Sequence, residues 1–86
     1  MTTNAVDVIL SKAWELNFQA FIFVSGQPKF YIYPDKWDWK AYTDLGIICL
    51  FNKEKDIEYY IDTKEIVEIH VFSGNQEKRK RTERRT

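Results

Sequence analysis

The chain has 86 residues, enough for one domain and too few side chains for two separate cores. Its 44% hydrophobic and 16% aromatic content excludes a disordered chain, and its single cysteine, Cys49, excludes an internal disulfide framework. Net charge is zero but unevenly placed: residues 77–86 (EKRKRTERRT) hold six of the 13 Lys/Arg and two of the 13 Asp/Glu, leaving seven against eleven in residues 1–76.

An acidic body followed by a basic segment is therefore expected, as a single domain over 1–76 and a disordered tail over 77–86. That tail has no aliphatic or aromatic side chain with which to pack. No basic-then-apolar leader opens the sequence, and no apolar run approaches the ~20 residues that span a bilayer. A reducing, cytoplasmic setting without membrane contact is expected.

In chain order, Asn4 is a helix N-cap candidate, with Asp7 three residues on near the positive end of the helix dipole. Val6, Ile9, Leu10, Ala13 and Leu16 then recur at spacings of three and four, which predicts a helix over 5–16 stopped by a left-handed Asn17. The period changes at FQAFIFV (18–24), rich in aromatic and β-branched residues. Ser-Gly-Gln-Pro follows, and 29–33 returns as its hairpin partner. The segment 35–45 reads either as a short helical turn or as a bent continuation of that strand. Strands are predicted at 47–51, 57–61 and 66–72, the first two joined by a charged turn and the last two by a single tight turn.

The last two strands alternate apolar with polar residues, so one of their faces is wet. The first three are apolar on both faces, and a single helix covers only one side of a sheet. Either the sheet curls on itself or a second copy of the chain covers it. The expected class is α+β: an N-terminal helix and a five-stranded, strongly bent, mostly antiparallel sheet.

The order of one helix and five strands, with a tight turn between the fourth and fifth, resembles that of the Sm-like small β-barrels. The bacterial Hfq RNA chaperones are among these. The residues that carry the resemblance are FIFVSGQPKFYIY and GIICLFNKEKDIEYYIDTKEIVEIHVF. It implies a small SH3- or Sm-like barrel, homo-oligomers, and a basic or polar tail beyond the barrel. Hfq proteins carry Tyr-Lys-His before the last strand, which helps hold uridine. The matching place here reads Tyr60-Ile61-Asp62-Thr63, with an acid where the base stands.

Catalytic chemistry finds little support. His70 alternates with Glu68 on the outward face of the last strand, but no nucleophile or second histidine accompanies the pair. Cys49 lies between Ile48 and Leu50 and reads as a small buried hydrophobe. One Cys and one His do not make a zinc site, and Asp35, Asp38 and Asp44 lack the ligand spacing of a calcium loop. No phosphate-binding glycine loop occurs. The expectation is a non-enzymatic binding protein with no cofactor or metal.

Two surfaces carry the binding candidates. Lys78, Arg79, Lys80, Arg81, Arg84 and Arg85 suit attraction to nucleic-acid phosphate. Tyr31, Tyr33, Trp37 and Trp39, in a segment also holding Asp35, Lys36, Asp38 and Lys40, suit a protein partner. Two functions follow. One is a nucleic-acid-associated regulator with an Sm-like body. The alternative is an interaction module of phage or mobile-element type that inhibits or adapts a host protein.

Overall fold

The computed structural model describes residues 1–26 and 29–73. The predicted disorder of 77–86 and the six basic side chains between Lys78 and Arg85 lie outside the described residues.

Helix α1 runs Thr3–Glu15. Its N-cap is Thr2 rather than Asn4: Thr2 is extended, and its hydroxyl accepts a 3.1 Å hydrogen bond from the Ala5 amide. Starting earlier turns Thr3 inward with Val6, Leu10 and Ala13, the buried stripe. Asn17 ends the helix at φ 57°, as its residue type predicts. The amide of Phe18 donates to Ala13 O (2.7 Å) and that of Asn17 to Trp14 O (3.1 Å), so both bonds of a Schellman motif are made.

Six strands follow: β1 Gln19–Val24, β2 Phe30–Ile32, β3 Trp37–Tyr42, β4 Ile47–Asn52, β5 Ile57–Asp62 and β6 Ile66–Phe72. A 3₁₀ turn, Thr63–Glu65, joins β5 to β6. All pairings are antiparallel, in two three-stranded sheets ordered β2-β1-β6 and β3-β4-β5. The α+β class holds. The single five-stranded sheet and the closed barrel do not: there are six strands in two sheets, with no hydrogen-bonded closure between them.

The cause lies at 33–37. The amides of Lys36 and Trp37 both donate to Tyr33 O, closing a tight turn, and Pro34 has no amide to continue the ladder. The chain leaves the first sheet there and starts a new strand in the second. The open choice at 35–45 thus resolves as turn, then strand. Trp37, Trp39 and Ala41 point inward, and Asp38 and Lys40 outward.

The two sheets face each other across one core, into which α1 contributes Val6 and Leu10. Ala20, Ile22, Val24 and Ile32 come from one sheet, and Trp37, Ile48, Leu50 and Ile61 from the other. Phe30 meets Tyr59 edge-on at 5.1 Å, a contact between the sheets. The turn between β4 and β5 is anchored by buried Asn52, whose Oδ1 accepts from the amides of Glu54 and Lys55. Register shifts between Phe23 and Val24, which pair with Glu68 and Ile66, leaving Val67 as the extra, exposed residue of a bulge.

Candidate functional site: the outer face of the first sheet

Alternation along β1 buries Ala20, Ile22 and Val24 and turns Gln19, Phe21 and Phe23 to the opposite face. The register then places side chains beside them. Phe21 is flanked by Tyr31 on β2 and His70 on β6, Gln19 by Phe72, and Phe23 by Glu68. The described helix and second sheet lie on the other side. This outward face is covered only by its own rings, and Phe21, Phe23 and Phe72 stay half-buried while Tyr31 is 38% exposed.

The rings touch one another closely. Phe21 lies 4.7 Å from Tyr31 and 5.9 Å from both Phe23 and Phe72. Tyr31 and Phe72 are 6.1 Å apart and parallel within 6°. The His70 ring lies 4.8 Å from Phe23, and the Lys29 ammonium stands 5.8 Å above that same ring. His70 Nε2 meets Glu68 Oε2 at 2.9 Å, so the expected outward pair forms, exposed and without a nucleophile on its row. The Tyr31 hydroxyl donates to Gln19 Oε1.

Of the four aromatic partner candidates, Tyr31 belongs to this face, and Tyr33 stands 5.5 Å from it while also packing partly on the core. The two tryptophans do not join them. Trp37 is 8% exposed and stacks on Tyr59 at 6.0 Å, inside the core. Trp39 is half-buried, edge-on to Trp14 at 6.2 Å. Their inward register on β3 puts both tryptophans into packing, so Trp37 has no surface to offer a partner. Phe21, Phe23, Phe72 and Lys29 were not among the sequence candidates. The signal for them was the two-faced apolar character of β1, which left one face in need of cover.

The second sheet presents a different outward face, with Asp38, Lys40, Glu58 and Tyr60. Cys49 lies between Lys40 and Tyr60 by register and is only 7% exposed. Burial pushes its thiol up, against the smaller opposing effect of a hydrogen bond with Tyr60, so it stays protonated and unreactive at neutral pH. Tyr60 is held protonated up to about 12, chiefly because its hydroxyl donates to Glu58 Oε1 at 2.9 Å. A shallow open cleft at the end of the core is walled by Thr43, Asp44, Leu45, Asp62 and Lys64, with Thr3 and Thr63 at its base. Among the described residues no group of three or more His, Cys, Asp or Glu is placed to hold a metal ion, and no helix is long and apolar enough to cross a membrane.

No family model matches this chain, and neither a curated protein nor a solved structure is similar to it.

Proposed function

We propose that this chain is a small, non-enzymatic, nucleic-acid-associated binding module. Its basic segment supplies attraction to phosphate, and the outer face of β2-β1-β6 supplies the contact surface. One observation carries this reading: the uncovered aromatic face holds a single acid among the described residues, Glu68, and the run from Lys78 to Arg85 follows directly on the strand that borders it. The remaining acids of the body stand on α1, on the turns and on the second sheet. The net negative charge of residues 1–76 therefore does not oppose phosphate at this face.

The Sm-like reading of the body draws support from the element order. If β2 and β3 are counted as two halves of one strand broken at Tyr33–Trp37, the chain reads as a helix, five strands, and a 3₁₀ turn before the last. Assembly with further copies belongs to that reading, and each sheet offers two edge strands for it.

The test is binding of mixed RNA and DNA by the full chain at low and moderate salt. A second version carries Gln at the six basic positions. The expected result is salt-dependent binding, with a slope in log salt that becomes shallower by ~0.7–0.9 for each phosphate that the Gln version no longer neutralises. Absence of binding by the full chain at low salt overturns the proposal. A protein partner captured through the aromatic face, with no nucleic acid bound, establishes the interaction-module alternative instead.

A further inference from the structure

We infer that the aromatic cluster of Phe21, Tyr31 and Phe72 is a stacking site for the unpaired bases of a single-stranded nucleic acid. This rests on the nucleic-acid reading above and names the form of the ligand and the rings that take it. The three centroids form a triangle with sides of 4.7, 5.9 and 6.1 Å, and the ring planes differ by 33°, 39° and 6°. The rings already stand at stacking separations from one another, and each keeps exposed surface for one more. A base inside a duplex has both faces occupied by its neighbours. An unpaired base has not, and it gains the contact whatever its identity, because every base has a π-face.

Charge selects this occupant over a second copy of the chain. Lys29 sits on the same face over Phe23, and the one acid there, Glu68, is engaged by His70. The backbone leaves β6 at Ser73, beside Phe72, and Lys78 follows five residues later. At no more than ~3.6 Å per residue, that cation lies within ~20 Å of the rings. Phosphates of a strand whose bases stack on the cluster thus meet Lys29 and the basic run together. A second copy docked there would bring a second Lys29 and a second basic run to the same place, like charge against like.

The test uses the full chain, a fluorescent oligothymidylate of about 15 nucleotides and a duplex of the same length, read by anisotropy at low salt. Tyr31→Leu and Phe72→Leu remove the ring while keeping apolar cover, and thermal melting confirms that each variant folds. The expected result is single-strand binding at least about 10-fold tighter than duplex binding. Each substitution should weaken the single strand about 5-fold or more and leave the duplex unchanged. Ultraviolet crosslinking to peptides bearing Phe21, Tyr31 or Phe72 supports the same assignment without any substitution. Equal affinity for the two forms, unmoved by either variant, overturns the stacking site and leaves the nucleic-acid reading standing. No binding by the full chain overturns both. A dimer that dissociates in Tyr31→Leu and binds no oligonucleotide shows that a second copy covers the face, and overturns the assignment as well.

Discussion

Thr3 and Thr63 place their hydroxyl oxygens 2.9 Å apart in a buried contact spanning 60 residues of sequence. Thr63 also donates to Gly46 O through both its amide (3.0 Å) and its hydroxyl (3.2 Å). One side chain thereby ties the first turn of α1, the turn before β4 and the 3₁₀ turn before β6. Thr63→Val keeps the shape and strands the Thr3 hydroxyl without its partner. The expected loss is about 1–3 kcal/mol in denaturant unfolding. In a double-mutant cycle, Thr3→Val with Thr63→Val should cost clearly less than the two single changes added together.

The tryptophans of β3 separate in the same measurement. Trp37 fills the core against Tyr59, so Trp37→Ala should cost about 3–5 kcal/mol, a large part of the total for a domain of this size. Trp39→Phe preserves most of the apolar surface and gives up only the edge-on packing against Trp14. That change, and Trp14→Phe, should couple by about 0.5–1.5 kcal/mol. A Trp37→Ala protein with unchanged stability would move that ring out of the core.

Alkaline titration isolates Tyr60. Its phenol is raised from 10.0 to about 12, first by the hydrogen bond it donates to Glu58. A group held protonated by folding binds its proton more tightly folded than unfolded. Its contribution to stability is therefore complete below pH 10 and disappears between pH 10 and about 12. Difference absorbance between the wild-type chain and Tyr60→Phe should show one phenol titrating late, and Glu58→Gln should bring it back toward the ordinary range. A Tyr60 that ionises with the other tyrosines refutes the hydrogen bond.

Asn17 stands alone at the end of α1 in the left-handed region. Asn17→Ala forces a Cβ-bearing side chain without local hydrogen-bonding ability into that conformation, at a cost of about 1–2 kcal/mol. Asn17→Gly should be neutral or slightly stabilising, and the contrast between the two is the measurement.

Much of this fold is written in local pattern. Asn17 stops the helix because few other side chains accept φ 57°, and β1 declares itself by aromatic and β-branched density. The strand at β3 was equally present, as strict alternation in WDWKAY. Its outward Asp38 and Lys40 and the preceding Pro34 gave it the composition of a loop. The site was less legible. Tyr31 could be named from its strand, but its meeting with Phe72 depends on β6 returning to pair with β1, and no local pattern encodes a partner half a chain away. Burial of Trp37 depended on inward register, which alternation sets only once the second sheet exists to pack against.

The pairing of β1 with β6 joins Gln19 to Phe72 and makes the first strand to be synthesised wait for the last. Until residue 72 is in place, β1 has one open edge, and the aromatic cluster lacks both Phe72 and the His70 ring that shields Phe23. Closing that separation comes late and costs loop entropy, so folding should be slow for a chain this short. A chain cut within β6 would carry an unpaired edge beside exposed phenylalanines, a combination that drives strands of separate molecules together. The strand that completes the contact surface is thus also the one that keeps the unfinished protein from aggregating.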